Sequence, residues 1–180
     1  MLVRRFEPQD APALSRLFHA AVHEIGARDY TLEQLAAWSP APPDPADLLE
    51  RAADGRLLLV AVDDAGAPIA YGDLEPDGHI DHLYCRPDAA GAGIASALYD
   101  RLEAAARERG IARLHVEASE AAKRLLVRKG FTVERRRDFE IGGVDIHNYA
   151  MMKVIGRAEG VRDIRPDQSG GSAVSSTPAK

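Results

Sequence analysis

The fold of this chain is decided by residues 79–100, HIDHLYCRPDAAGAGIASALYD. Side chains of alternating character over residues 79–85 predict a half-buried strand. Pro87 ends that strand because it has no N–H group to donate to a sheet. From Ile94 onward, apolar residues recur at helical spacing and predict an amphipathic helix. The stretch therefore predicts a strand, a short loop and a helix in succession.

The loop between this strand and this helix consists of small residues and contains Gly91 and Gly93. Glycine accepts backbone conformations and close approaches that a Cβ atom would block. The first turn of a helix has unpaired N–H groups, and the helix dipole adds partial positive charge there. We therefore interpret the loop as a binding site for a pyrophosphate. An ordinary tight turn before an alanine-rich helix is the alternative that the loop alone leaves open.

Two common phosphate-binding loops do not fit this stretch. A Walker A loop ends in Gly-Lys-Ser/Thr, whereas Gly93 is followed by Ile94 and Ala95. The dinucleotide-binding fingerprint requires a third glycine where Ser96 stands, and it follows the first strand of its domain. The sequence therefore argues against nucleotide triphosphate hydrolysis and against dinucleotide binding.

The composition is typical of a soluble, single-domain protein of 180 residues. A net charge of −5 argues against a nucleic-acid partner. No apolar run reaches the roughly 18 residues of a membrane span, and the first residues lack a signal-peptide pattern. We therefore expect a cytoplasmic protein without a membrane partner. The single Cys85 excludes an internal disulfide, and a buried strand thiol is favoured over an acyl-accepting nucleophile.

Periodicity and turn residues predict an α/β (α+β) fold with about seven strands and about four main helices. The predicted strands are 2–6, 56–63, 68–74, 79–85, 112–118, 131–139 and 144–153. The predicted helices are 12–25, 31–38, 94–109 and 120–129, with a further short helix at 47–53. We assign residues 1–155 to one domain. Residues 156–180 are rich in Ser, Gly and Pro and predict a flexible tail.

The strand, proline and glycine loop resemble motif A of the GNAT superfamily, the CoA-dependent N-acetyltransferases. That motif reads Arg/Gln-x-x-Gly-x-Gly/Ala and falls on residues 90–95, AGAGIA. Ala90 departs from the motif because its side chain has no donor. The resemblance implies that backbone amides make most of the phosphate contacts. We therefore expect weaker or differently oriented CoA binding and not its loss.

A second segment, SEAAKRLLVRKGF at 119–131, resembles the family's Asn/Ser-x-x-Ala-x-x-Leu-Tyr-x-x-x-Gly-Phe. The order of elements also resembles the GNAT fold, and the nearest branch is the YafP-like one. The resemblance implies a mixed, mostly antiparallel sheet, splayed between its fourth and fifth strands, that binds acetyl-CoA. The cofactor-binding residues that it implies are Leu83, Tyr84, Cys85, Ala90, Gly91, Ala92, Gly93, Ile94, Ala95, Ser96, Ser119 and Ala122.

The resemblance further implies N-acetyl transfer from acetyl-CoA to a primary amine of a small molecule or a protein. A base must remove a proton from the amine. His79 falls where several family members carry a glutamate base, and a histidine pKa of about 6.5 suits this role. Period-two spacing puts Asp81 on the same strand face, where it would orient His79 or act through a water. A histidine ending a turn and a solvated strand charge are the alternatives.

The general acid is not assigned. The family's usual tyrosine falls on Leu126, and Tyr149, Tyr84 and ordered water are the alternatives. Because Leu126 and Ala90 both depart from the family pattern, a CoA-binding sensor or interaction module without catalysis is the rival function. The sequence does not encode the identity of the acceptor.

Several other residues leave more than one interpretation open. His19 and His23 share a helix face but have no third ligand, so no metal is predicted. Tyr30 and Trp38 are candidates for substrate contact or for the core. A basic cluster would bind the 3′-phosphate of CoA or form a solvated face. Its members are Lys123, Arg124, Arg128, Lys129, Arg135, Arg136 and Arg137. A homodimer is also left open.

Overall fold

The chain forms five α-helices and seven strands within residues 1–156, the part that the computed structural model describes. The strands are β1 (Leu2–Arg5), β2 (Leu57–Val62), β3 (Pro68–Leu74), β4 (Leu83–Cys85), β5 (Arg113–Ala118), β6 (Thr132–Ile141) and β7 (Val144–Val154). The helices are α1 (Ala11–Ala20), α2 (Leu32–Trp38), α3 (Pro45–Ala53), α4 (Ile94–Glu108) and α5 (Glu120–Arg128). The predicted tail lies outside the described residues, apart from Gly156. None of the helices within residues 1–156 is both long and apolar enough to cross a membrane.

The strands form two antiparallel sheets, in the orders β1-β2-β3-β4 and β5-β7-β6. Within residues 1–156, one isolated parallel bridge, between His79 and His115, joins the two sheets. There the Ile80 N–H donates to the His115 carbonyl at 3.0 Å, and the His115 N–H donates to the Gly78 carbonyl at 3.1 Å. Beyond this bridge β4 and β5 diverge. The predicted mixed α/β fold, mostly antiparallel and splayed between the fourth and fifth strands, is confirmed.

The predicted strand 79–85 is regular only over β4, because a β-bulge precedes it. The Asp73 N–H donates to the His82 carbonyl at 3.1 Å, and the Glu75 N–H donates to the His79 carbonyl at 2.8 Å. The two-residue step from Asp73 to Glu75 therefore pairs with the three-residue step from His82 to His79, which is one residue longer. The Asp73 carboxylate accepts the N–H groups left over, from Asp81 at 3.0 Å and from His82 at 2.8 Å.

Regular alternation over residues 79–85 would place Ile80, His82 and Tyr84 together on one face, and the bulge overturns this prediction. Ile80 packs in the core beside α4. His82 and Tyr84 instead contact Phe18 of α1 and Tyr71 of β3 on the opposite side. Ile80 and His82 thus do not share a face, because the extra residue reverses the alternation between them.

The buried apolar residues of the described chain form three clusters, of which two lie on opposite faces of the β1-β2-β3-β4 sheet. One of these two lies under α4 and α5 and includes Leu98, Leu102 and Leu126, each at most 1% exposed. The other packs α1 and α3 against β2 and β3 around Tyr71. The predicted helix 12–25 ends early at Ala20 and continues as one π-helical turn, Ala21–Ile25.

Candidate active site

A cleft of about 280 Å³ lies between β4, the start of α4 and α5, and we call it the cofactor cleft. Every residue predicted to bind CoA lines it, with the exception of Ala92. Arg128 of the predicted basic cluster also lines it. Further lining residues, not predicted from the sequence, come from the π-helical turn, the loop after β4 and α5: Ala21, Ile25, Ala89, Ala121 and Leu125. Ala21 and Ile25 lie in the π-helical turn, and no sequence pattern reveals where an α-helix continues as such a turn.

The glycine loop presents bare backbone to the cofactor cleft. Gly91 has a φ of +84° and Gly93 a φ of +82°, and a Cβ atom built on either would meet nothing within 4 Å. Within residues 1–156 the N–H groups at this corner donate to no acceptor; they belong to Gly91, Gly93, Ile94, Ala95 and Ser96. Gly93 is the N-cap of α4 and provides no side-chain cap. A row of free donors at a helix N-terminus fits an anion such as a pyrophosphate.

The cofactor cleft continues into a smaller space of about 40 Å³ between the diverging strands, which we call the wedge. Leu83, Tyr84, Ser119 and Ala122 line both spaces. The wedge is further lined by two carboxylate residues, Asp81 and Glu117, and by Trp38 and Leu126, among others. A thioester placed at the narrow end would therefore lie between β4 and β5, next to charged side chains.

Both ring nitrogens of His79 lie beside carboxylates. Nε2 is 2.8 Å from Oε2 of Glu117, and Nδ1 is 3.4 Å from Oε1 of Glu75. Burial lowers the pKa of His79, but the hydrogen bond and charge of Glu117 and the charge of Glu75 outweigh it, so the pKa is raised. The geometry therefore does not favour His79 as a base that accepts a proton from an amine.

Asp81 lines the wedge but does not orient His79 as expected. Its Oδ2 atom is bound by the guanidinium of Arg51 and lies 3.4 Å from Nη1 of Arg56. Glu117 takes the orienting position at His79 instead. Glu117 was not predicted as a site residue, although its place on β5, opposite the strand that carries the predicted base, was a usable signal.

A second histidine, His82, also has a carboxylate partner. Nδ1 of His82 lies 2.8 Å from Oδ2 of Asp73, which also accepts from Nη1 of Arg56 at 2.7 Å. Asp73 is fully buried. Burial raises its pKa, but the hydrogen bonds that its carboxylate accepts from His82 and Arg56 outweigh this effect, and the pKa is lowered. A charged residue in the apolar strand β3 was the sequence signal for this pair.

The ring of His82 faces a separate cavity of about 340 Å³, which we call the side cavity. Its lining comes from α1, the segment before α3, α3, β3 and the bulge: Phe18, Pro43, Asp47, Leu48, Glu50, Arg51, Tyr71 and His82. Side-chain ligand atoms of Asp73, Asp81 and His82 lie within 4.8 Å of one another. Arg56 and Arg51 already compensate the two carboxylates, so a metal ion there would meet like charge.

The tyrosines considered for the general acid occupy different surroundings. The Tyr149 hydroxyl donates to Oε1 of Glu120 at 2.6 Å, and Tyr149 lies outside the lining of both the cleft and the wedge. Tyr84 lines both spaces. Tyr30 is buried and braces the fold, because its hydroxyl donates to the His147 carbonyl and accepts from the Glu120 N–H, both at 3.1 Å. Trp38 lines the wedge.

Most of the predicted basic cluster is neutralised by acids within the chain. Arg124 pairs with Asp29, Lys123 with Glu120, Lys129 with Asp100, Arg136 with Asp138 and Arg137 with Glu117. Arg128 alone among the cluster lines the cofactor cleft. Within residues 1–156 it has no ion-pair partner. Of this cluster, Arg128 is therefore the cation available to a ligand in the cleft.

Comparison with known proteins agrees with this geometry. The sequence model of the Acetyltransferase (GNAT) domain matches residues 26–153. The uncharacterized N-acetyltransferase YafP of Escherichia coli (strain K12) is 27% identical over 149 residues, which are 83% of this chain and 93% of YafP.

Solved structures share the fold. A GCN5-related N-acetyltransferase from Rhodopseudomonas palustris has a TM-score of 0.78 and 34% identity over 86% of this chain and 95% of its own. A phosphinothricin acetyltransferase from Sinorhizobium meliloti, solved in complex with AcCoA, has a TM-score of 0.70 and 20% identity over 93% of this chain and 96% of its own. The second likeness shows the fold alone. With a family match over most of its length, the chain belongs to the GNAT family and is an acyltransferase.

Proposed function

We propose that this protein transfers the acetyl group of acetyl-CoA directly to a primary amine. The observation that carries the proposal is the row of unpaired N–H groups at the start of α4, which opens onto a cleft that narrows between two diverging strands. The Sinorhizobium meliloti relative of the same fold was solved in complex with AcCoA, which supports acetyl-CoA as the ligand.

The residues around the cofactor cleft suit the successive parts of acetyl-CoA. The N–H groups from Gly91 to Ser96 would bind the pyrophosphate. Within the described sheets β4 pairs only with β3, so its other edge is free to bind the pantetheine arm as an added strand. An N–H group of that edge would polarise the thioester carbonyl. Ser119 and Ala122 would form the facing wall.

The reaction forms a bond between the amine nitrogen and the acetyl carbon and breaks the bond from that carbon to sulfur. The sulfur leaves with the electron pair as a thiolate. One ammonium proton must pass to a base before attack, and a second leaves the nitrogen after attack and can protonate the thiolate. Asp81, which lines the wedge, remains a predicted participant. His79 remains a prediction as well, although its nitrogens are both engaged. Tyr84 and water are the remaining candidates for protonating the thiolate.

A catalytically inactive CoA-binding module is the second candidate function. It is favoured by Leu126, which lines the wedge without a proton to donate, and by Ala90, which lines the cleft without a donor. The two functions share the cofactor cleft and differ only in turnover.

Ligand binding and turnover separate these functions. At acetyl-CoA concentrations of about 100 times Kd, a binder gains about 2.7 kcal/mol of stability, which a thermal shift assay detects. Release of CoA with a panel of amines then reports turnover. Binding with turnover supports the transferase, and binding without turnover on any amine supports the inactive module. A protein that shows no thermal shift has neither function.

Replacing Arg128 by glutamine is expected to weaken acetyl-CoA binding roughly three- to tenfold, because an unpaired guanidinium beside the cleft would be lost to the phosphates. Titration calorimetry at low and high salt measures this, and the difference from wild type should shrink in high salt. Arg124→Gln on the same helix is the control, since Arg124 is paired with Asp29 and lies outside the cleft lining. Equal losses in both variants would contradict a specific role for Arg128.

A further inference from the structure

His82 has the arrangement of a general base and lies on the face of the sheet that carries α1 and α3. Asp73 holds Nδ1 of the ring at 2.8 Å. An ionised carboxylate only accepts, so Nδ1 carries the proton of the neutral ring. Nε2 then carries the lone pair, and within residues 1–156 it has no hydrogen-bond partner. The ring lines the side cavity, so this lone pair is available to a ligand there.

His79 has no comparably accessible ring nitrogen. Nε2 of His79 is hydrogen-bonded to Glu117, and Nδ1 lies 3.4 Å from a carboxylate oxygen of Glu75, so protonation of His79 is stabilised. His82 and His79 therefore differ in the property that a base requires, although both have acidic neighbours.

The lining of the side cavity suits a small amine with an apolar body. Phe18, Leu48 and Tyr71 provide apolar and aromatic surface. Asp47 and Glu50 contribute carboxylates and, within the described chain, have no ion-pair partner. An amine enters as a cation near neutral pH, so these carboxylates would attract it. The volume of about 340 Å³ matches a small molecule.

Tyr84 and Asp81 lie between the side cavity and the wedge. The ring of Tyr84, which lines the wedge, packs on Phe18, Tyr71 and His82 with centroids 4.8, 5.9 and 6.0 Å apart. Asp81 also lines the wedge, and its Oδ2 lies 3.4 Å from Nδ1 of His82. An amine at the edge of the side cavity would thus lie next to the space between β4 and β5.

We propose that His82 is the general base, that Asp73 is its positioning residue, and that the side cavity binds a small primary amine with an apolar body. This inference rests on the proposed acetyl transfer. Nε2 of His82 takes one proton from the ammonium group, and the freed nitrogen lone pair forms the bond to the acetyl carbon. The carbon–sulfur bond breaks with its electrons on sulfur. A second proton leaves the attacking nitrogen and passes to that sulfur, directly or through water, to give the CoA thiol, and His82 returns the first proton to solvent through the side cavity.

The decisive kinetic test compares His82→Gln with His79→Gln and with the control His115→Gln. The test acceptors are aralkyl amines, which are small primary amines with an aromatic body. We expect His82→Gln to lower kcat/KM for them about 10²- to 10³-fold, with the Kd of acetyl-CoA unchanged. The pH profile of wild type should contain an ionisation that His82→Gln lacks. The charged and titratable groups around His82 are Asp73, Asp81, Arg51, Arg56, Tyr71 and Tyr84, and all are retained in this variant.

Two further measurements do not depend on turnover by the His82 variant. Two-bond proton–nitrogen NMR spectra of the protein without acetyl-CoA should show the neutral His82 ring protonated at Nδ1 and unprotonated at Nε2. In Asp73→Asn we expect both neutral tautomers of His82 to be populated. Glu50→Gln should raise KM for the amine roughly three- to tenfold at unchanged kcat. Spermidine and a peptide with a free amine are assayed as alternative acceptors. A higher kcat/KM for either than for the aralkyl amine would overturn the assignment of the side cavity.

The outcomes separate this inference from the proposed function. If the wild type shows no turnover with any amine, the transferase proposal fails and this inference fails with it. If the wild type turns over while His82→Gln stays within about threefold of it, only the inference is overturned. A large loss in His79→Gln with none in His82→Gln would assign the base to His79. Weakened acetyl-CoA binding by His82→Gln would show that His82 acts in cosubstrate binding.

Discussion

Replacing Gly93 by valine is expected to weaken acetyl-CoA binding strongly while the protein still folds. Gly93 has a φ of +82° and lies at the N-cap of α4, where its Cβ position is open space in the cofactor cleft. A non-glycine residue in this conformation costs roughly 1–2 kcal/mol, which a folded domain tolerates. The valine side chain would project toward the site of the pyrophosphate, and relief of strain would turn the N–H groups away. We expect the Kd to rise by at least about thirtyfold, or 2 kcal/mol.

Gly110 offers a matched control at the other end of the same helix. Its φ is +71°, and a Cβ atom there would also meet nothing within 4 Å. Gly110→Val therefore carries a similar backbone cost without touching the cofactor cleft. Thermal unfolding should show comparable decreases in Tm for both variants, whereas calorimetry should show normal acetyl-CoA binding for Gly110→Val alone. Normal binding by Gly93→Val would mean that the unpaired amides do not carry the site.

The elements around this loop were predictable because their signals are local. The proline that ends a strand, the two glycines and the helical spacing from Ile94 lie within one short stretch, so no distant residue was needed to interpret them. The order of strands followed in the same way from turn residues and from the resemblance to a family. α1 was the exception, since nothing in its apolar spacing distinguishes an α-helical turn from the π-helical turn that follows Ala20.

The face on which His82 lies could not be predicted from spacing, because it depends on a contact with the neighbouring strand. Period-two spacing assumes a regular ladder, but the Asp73 carboxylate on the neighbouring strand accepts the N–H groups of Asp81 and His82. That acceptor stabilises the bulge and reverses the face on which His82 lies. The basic cluster shows the same limit. Whether Arg128 or Arg124 is free depends on where the acids of other segments lie.

Replacing Asp73 by alanine is expected to cost about 3–5 kcal/mol of folding free energy, because it leaves buried partners without their acceptor. The Asp73 carboxylate accepts from Arg56 at 2.7 Å, from His82 Nδ1 at 2.8 Å and from two backbone N–H groups of the bulge. Asp73 is fully buried, and the Arg56 side chain is only 7% exposed. Urea unfolding should show the loss in free energy, and Tm should fall by roughly 10 °C.

The same variant has a predictable dependence on pH. The folded-state pKa of Asp73 is lowered, so its ionised form stabilises the folded protein above the unfolded pKa of about 3.9. This contribution is lost as the pH falls through the folded-state pKa. The difference in unfolding free energy between wild type and Asp73→Ala should therefore be constant near neutral pH and shrink below about pH 4. Other carboxylates are common to both proteins and cancel in the difference.

Asp54 provides the control that separates burial from charge. It binds the same guanidinium, with its Oδ2 2.8 Å from Nη2 of Arg56, but its side chain is 44% exposed. Water can replace an exposed partner, so Asp54→Ala should lower Tm by only a small fraction of the Asp73→Ala shift. Equal shifts would mean that the charge of Arg56 alone matters and that the carboxylate under the bulge does not organise it. A large loss in Asp73→Ala alone would instead make this carboxylate the common support of the bulge, of Arg56 and of the His82 ring.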